Sequence, residues 1–310
     1  MNWGFSRDMS DEIKNKAFKL GFDLCGIARA RPLDECRDKL DNWINNGLHA
    51  GMSYMERNRE KRINPALLVD DARSVIVAGM NYFREYKPGD NQPVFARYAL
   101  GQDYHQVLKD RLYILLDFIR ERKPGTEGRV FVDTAPVLER AWAVEAGLGW
   151  TGKNSMLINK ETGSFLFLGV LIINTELEYD KPAPSDYCGT CRKCIEACPT
   201  AAITDDRMIN SNKCLSYMSI EHKGELPHEY AKHSGRRIFG CDICQEVCPW
   251  NTKVKETTIK EFKPLPEILN YITEQWKSIT KEEFNRIFKD SAVLRTGYEG
   301  FMRNIKSGRG

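Results

Sequence analysis

The chain has 310 residues, 42% hydrophobic and 29% charged, with 46 Lys and Arg against 43 Asp and Glu for a net charge of +3. That balance belongs to a folded globular protein of one large or two modest domains, and it excludes a disordered, fibrous or polycationic chain. No apolar stretch follows a basic start at the N-terminus, and the longest apolar run, residues 165–173, falls well short of the ~20 residues of a membrane span. A soluble cytoplasmic protein with no membrane contact is expected.

In chain order, Ser10 is placed to cap a helix over 10–20 that Gly21 stops. A strand over 24–28 and a helix over 34–46 closed by Gly47 follow. Residues 51–62 are polar and arginine-rich and fit neither period. Pro65 opens a short helical stretch, 74–83 reads as a strand buried on both faces, and 94–100 as another strand. Val107, Leu108, Leu112, Leu115, Leu116 and Ile119 recur at helical spacing until Pro124-Gly125. A strand over 129–132 and a helix over 136–146, with Pro136 in its first turn, come next. A hairpin then joins 155–158 to 165–174 around Gly163. The alternation predicts an α/β or α+β catalytic domain with a mixed sheet over 1–180. A cysteine- and loop-rich ferredoxin-like domain is expected over 181–255, and an amphipathic helical extension over 256–310.

Eight of the ten cysteines lie between Cys188 and Cys248; Cys25 and Cys36 read as ordinary strand or helix residues. Cys188, Cys191, Cys194 and Cys198-Pro199 form a C-x2-C-x2-C-x3-C-P run, in which three closely spaced thiolates bind one [4Fe–4S] cluster and the fourth serves another. Cys241, Cys244 and Cys248-Pro249 repeat it without the first cysteine, which Cys214 can supply. The assignment that closes both sites is Cys188, Cys191, Cys194 and Cys248 on one cluster, with Cys198, Cys214, Cys241 and Cys244 on the other. Four-cysteine zinc sites are the competing reading, but they do not require the C-x3-C-P ending, which occurs here twice. This segment therefore moves single electrons. A ferredoxin alone does not need an α/β domain in front of it, yet that domain carries neither a G-x-G-x-x-G fingerprint nor a P-loop. Asp103-Tyr104-His105 begins like a D-x-H-x-x-G corrinoid box but lacks the glycine and opens a helix, so His105 reads as structural.

The chain resembles the epoxyqueuosine reductase family. The resemblance runs through Met52-Ser-Tyr-Met55 with Arg57, Val132-Asp133-Thr134, Gly149-Trp-Thr-Gly-Lys153-Asn154, both cysteine runs, Leu215-Ser-Tyr-Met-Ser-Ile-Glu221 with Lys223-Gly224, and Cys248-Pro-Trp-Asn251. It implies reduction of the epoxide of epoxyqueuosine at the tRNA wobble base, with two [4Fe–4S] clusters and a base-off cobalamin. It also implies an electron donor of flavodoxin or ferredoxin type, and a monomer is expected. Asp133 matches the family's proton donor. By resemblance, Arg57, Lys153, Asn154, Ser216, Lys223 and the backbone at Asp242 are placed for cobalamin or phosphate groups. Longer members carry C-terminal helical repeats, which this sequence ends without.

The chemistry of the residues agrees. Removing an epoxide oxygen takes two electrons and two protons, and the oxygen is a poor leaving group, so a placed acid is worth roughly 10²–10⁴-fold. Asp133 stands at the end of an apolar strand, and burial beside the corrin is expected to keep its carboxyl protonated. Read without the resemblance, Asp133 can equally be a helix N-cap. Arg192, Lys193, Lys223, Arg236, Arg237, Arg303, Lys306 and Arg309 are candidates for a basic rim on the tRNA. Two other functions fit the same cysteines: a corrinoid iron–sulfur reductase of a small epoxidised or halogenated molecule, and an electron-transfer protein that docks through its α/β domain.

Overall fold

The computed structural model describes residues 6–182 and 186–308. Helix α1 (Ser6–Lys19) ends at Gly21, whose φ of +89° suits a residue without a Cβ. Ser10 lies inside this helix rather than at its cap, and its hydroxyl donates to the Glu178 carbonyl at 3.2 Å. Then come β1 (Leu24–Arg29), α2 (Asp34–Asn45), α3 (Arg59–Ile63), β2 (Ser74–Asn81), β3 (Val94–Phe95) and α4 (Tyr104–Arg122). The Asp103 carboxylate caps α4 by accepting the His105 amide at 3.0 Å. The chain continues through β4 (Gly128–Phe131), α5 (Glu139–Glu145), β5 (Trp150–Thr151), β6 (Leu157–Ile158) and β7 (Leu166–Ile173).

Four of these strands form one sheet in the order β1-β2-β7-β4, and every pairing is antiparallel. The mixed sheet expected from the helix–strand alternation is therefore corrected: β7 inserts between β2 and β4 and runs against both. Period-two alternation splits β2 between two cores. Ile76, Ala78 and Met80 pack under α1 and α4 with Ile13, Leu108 and Leu112, while Val75 and Val77 pack under α5 with Trp142 and Ala143. Helices thus cover both faces, which is why all eight β2 residues are buried.

Three local expectations give way to long-range partners. The strand expected over 94–100 stops after Phe95 and becomes a 3-10 turn over Arg97–Ala99, because the Asp242 carboxylate takes the Arg97 amide at 2.8 Å. The expected hairpin does not form: β6 pairs with β5, β7 joins the sheet, and an isolated Asn159–Gly163 bridge marks the turn. Helix α5 begins at Glu139 rather than 136, since the amides of Thr134 and Val137 are spent on the carbonyls of Val132 and Ala135 in two tight turns.

The cysteine-bearing part contains α6 (Lys193–Glu196), α7 (Leu215–Ile220), α8 (His228–Ser234), β8 (Arg237–Phe239) and α9 (Ile243–Glu246). It is followed by α10 (Pro266–Asn270), α11 (Thr273–Ser278), α12 (Lys281–Ile287) and α13 (Gly297–Ser307). Strand β8 pairs in parallel with β3, so the two halves of the sequence share a ladder. Around that ladder Trp276, Phe284, Phe288 and Phe301 close over Phe95, Leu100, Ile238 and Phe239 in a single core. Each such ring contributes about 1.5–3 kcal/mol by leaving water. No helix among the described residues is long and apolar enough to cross a membrane.

Candidate active site and cluster-binding cysteines

The two cysteine runs fold alike, each wrapping a one-turn helix, α6 in the first and α9 in the second. Their sulfurs gather in two sets. Burial raises the Cys194 thiol, and Cys188, Cys248 and Cys191 raise it further; Cys244 is raised by burial and by Cys241 and Cys214. Cys214 in turn lies within the field of Cys198. Among the described residues no three His, Cys, Asp or Glu are gathered around a single-ion position, and a cubane takes each thiolate on a separate iron.

Donors point at the sulfurs, as clusters require. The Ala202 amide reaches Cys198 Sγ at 3.3 Å and the Trp150 indole N–H reaches Cys188 Sγ at 3.5 Å. A cavity of about 250 Å³ lies among Cys188, Cys191, Cys194, Cys248, Lys153 and Trp250. Lys153 straps this loop down, donating to the carbonyls of Gly189 at 2.7 Å and Cys191 at 2.9 Å. A wider hollow of about 600 Å³ on Asp41, Arg59 and Glu60 is an open, charged dent in the α2–α3 surface.

Asp133 follows β4 with a left-handed φ of +53°, a strained setting for a residue with a Cβ. Its side chain keeps 63% of its accessible surface, yet protein surrounds it on most sides. His105, the second residue of α4, brings Nε2 to 3.2 Å from Asp133 Oδ2, while its Nδ1 stands 2.6 Å from Asp103 Oδ1. Partial burial opposes a proton on this imidazole, but the two carboxylates outweigh it and lift His105 to about 9. On Asp133 burial pushes the pKa up, while His105, Tyr104 and Arg140 pull harder and hold it below the usual value. In this setting the proton sits on His105 at neutral pH.

Other groups converge here. The Tyr98 phenol is raised mainly by burial, and further by the charges of Asp133 and Asp242. Tyr54 is 36% exposed, and Arg62, donating to the Tyr54 carbonyl at 3.1 Å, is buried with Nε unpartnered.

Two family models match the chain. One, described as a 4Fe-4S double cluster binding domain, covers residues 187–251; the other, described as epoxyqueuosine reductase QueG, DUF1730, covers 62–134. An epoxyqueuosine reductase of Cyclobacterium marinum is 48% identical over 94% of each chain, and that of Cellulophaga algicola 46% identical over 96% of each. The chain belongs to the epoxyqueuosine reductase family. A crystal structure of an epoxyqueuosine reductase with a tRNA-Tyr epoxyqueuosine-modified tRNA stem loop matches with a TM-score of 0.90 at 32% identity, covering 97% of this chain and 80% of that one. The family membership makes the chain an oxidoreductase, and the double-cluster match makes two [4Fe–4S] clusters its cofactors.

Within this member of the epoxyqueuosine reductase family, the residues singled out by resemblance are dispersed. Arg57 is exposed on a turn and Lys223 is exposed on an irregular loop. Asn154 is buried and reaches the Cys244 carbonyl at 3.4 Å, and the Ser216 amide lies against the Cys214 thiol. The Asp242 carboxylate is committed to Arg97, accepting its amide at 2.8 Å and its Nη1 at 3.2 Å, which leaves the backbone. From the basic rim, Arg236 bonds the Gln92 carbonyl, and Arg303 bonds those of His222 and Gly224. Arg309 lies outside the described residues. Sequence reasoning assigned His105 a structural role and passed over Arg62, Tyr98 and Glu139. A faint signal for His105 was present in Asp103-x-His105 itself.

Proposed function

We propose that this chain reduces the epoxide of epoxyqueuosine in the tRNA anticodon to give queuosine. The C–O bonds of the ring break, the carbons become an alkene, and two electrons and two protons carry the oxygen off as water. The observation that carries the reading is the His105–Asp133 pair, 3.2 Å apart at the end of β4, in a chain whose double-cluster segment delivers electrons: an acid and an electron source in one molecule. Functionally, residues 1–180 are the catalytic segment, 181–255 the electron-delivering segment and 256–310 the helical support. The clusters are held by Cys188, Cys191, Cys194 and Cys248, and by Cys198, Cys214, Cys241 and Cys244.

The donor set fits cobalamin: Asp133 keeps an exposed carboxylate, and Tyr54, Arg62 with its unpartnered Nε, and the backbone beside Ser216 and Asp242 offer polar groups to corrin amides. When bound, cobalamin supplies a strongly reducing, nucleophilic metal for the strained ring. Arg57 and Lys223 remain for its phosphate or for tRNA phosphates, whereas Lys153 and Asn154 serve the cysteine loops. The protein's own part is proton handling. Asp103 fixes the His105 ring, His105 holds the proton at Nε2, and Asp133 Oδ2, 3.2 Å from that nitrogen, relays it to the departing oxygen. Stem-loop recognition by a relative of such similarity supports tRNA as substrate, with Lys193, Lys223 and Lys306 the exposed cations left to meet phosphates. A cytoplasmic monomer served by a flavodoxin- or ferredoxin-type donor completes the reading.

The test is nucleoside mass spectrometry of tRNA from cells that accumulate epoxyqueuosine and are supplied with this gene. The parent restores queuosine, whereas Asp133→Asn and Cys244→Ala do not. Epoxyqueuosine that persists beside soluble parent protein with both clusters intact would point to another substrate.

A further inference from the structure

Behind the acid lies a second carboxyl that the proton path does not use. Glu139 opens α5, six residues after Asp133, and its Oε1 is shut off from solvent with no hydrogen-bond partner. The Asp133 amide lies within hydrogen-bonding reach of this carboxyl, as does the amide of Glu139 itself. Arg62 is buried close enough for its charge to interact with both Glu139 and Asp133, although it forms no ion pair with either and leaves its Nε unpartnered. Buried polar groups without partners are uncommon, and here two of them, Glu139 Oε1 and Arg62 Nε, accompany the strained backbone of Asp133.

Asp133 needs such support. A left-handed backbone at a residue with a Cβ persists only where its surroundings over-determine it. The turns that carry it, Val132–Thr134 and Ala135–Val137, bind only their own carbonyls. The Asp133 amide has no partner within those turns, and the Glu139 carboxyl is within its reach.

We propose that Glu139 is the positioning residue of the Asp133 turn, accepting the Asp133 amide from behind so that its carboxylate faces His105 and the substrate space. The protonation state suits the task. Burial first, then the Asp133 charge, push the Glu139 carboxyl up to about 8, against the pull of the two amides and Arg140. At neutral pH it is an uncharged acceptor, able to hold an amide without setting a second negative charge against Asp133. Glutamine reproduces that acceptor and alanine removes it. The role rests on the reading of Asp133 as the proton donor.

Two readouts on the cluster-loaded protein test it: hydrogen exchange of the 132–138 backbone followed by mass spectrometry, and steady-state reduction of epoxyqueuosine tRNA. Glu139→Ala should speed exchange across 132–138 and lower kcat by on the order of ten- to a hundredfold with KM for tRNA unchanged. Glu139→Gln should return both to parental values at pH 7. Unchanged exchange in Glu139→Ala, or a Glu139→Gln variant as impaired as the alanine one, would overturn the proposal. A parent that exchanges slowly at 132–138 but turns over no tRNA would instead sink the functional reading and leave the clasp standing.

Discussion

At Asp133 a carboxylate and an imidazole share one proton, and pH decides where it goes. His105 is held at about 9 and Asp133 below the usual carboxylate value, so the pair carries its proton on His105 through the neutral range. The supply fails only as pH rises through about 9. The parent enzyme should therefore keep its kcat across neutrality and lose it on the alkaline side near that value. His105→Gln removes both the proton store and the cation that holds Asp133 down. Its alkaline limb should move several pH units lower, with kcat at pH 7 falling about 10²-fold. A kcat–pH profile checks this, and an unmoved limb would remove His105 from the path. Asp133 was legible in the sequence because it ends an apolar strand and sits in a matched block. His105 was not, because the contact depends on the start of α4 meeting the end of β4, 28 residues apart in sequence. The corrinoid-like box drew attention to the right residue for the wrong chemistry.

The elements that aim these side chains meet at close quarters. A Cβ on Gly26 in β1 would land on the Ala146 carbonyl oxygen, just past α5, and 2.9 Å from Leu148 Cδ2. The obstacle is backbone and cannot swing aside, so Gly26→Ala must lift the end of α5 off the sheet. A loss of about 1–3 kcal/mol is expected, seen as a lowered Tm, together with weakened activity because α5 carries Glu139 under the acid. A Tm within a degree of the parent would show that the layer gives more than its packing suggests. Periodicity found these elements where one face decided their fate: the apolar spacing of α4 and the doubly buried β2 read correctly. It failed where pairing is non-local. Residues 157–158 and 166–173 looked like two arms of one hairpin, but a strand's alternation does not say which neighbour it will choose. The sheet's antiparallel order was hidden for the same reason. The cysteine runs were the most legible of all, since a cluster binds residues two and three apart and so writes its geometry into local spacing.

Across the whole molecule the C-terminal helices hold the electron-carrying part in place. Asn304 on α13 is fully buried and donates to the carbonyls of Ser219 at 2.7 Å and Ile238 at 2.8 Å, tying α7 to β8. Cys214 immediately precedes α7 and Cys241 lies just beyond β8. Asn304→Ala leaves the buried Ile238 carbonyl without a donor and the Ser219 carbonyl with the Thr296 hydroxyl alone, at a cost of about 1–3 kcal/mol. Iron should then leave faster under a chelator, by iron content per chain, while the isolated Asp133–His105 pair keeps its pH limb. Retention at the parental rate would separate α13 from the cysteine sets. The parallel ladder of β3 with β8 extends this dependence to the order of synthesis. Phe95 leaves the ribosome roughly two hundred residues before Phe301, the ring that closes over it, and the chain emerges at about 5–20 residues per second. For those seconds the nascent chain presents an unfinished aromatic hollow and eight thiols not yet held in register. Closure of this core, and with it the final placement of α7 and β8 beside Cys214 and Cys241, thus waits until the last helix docks.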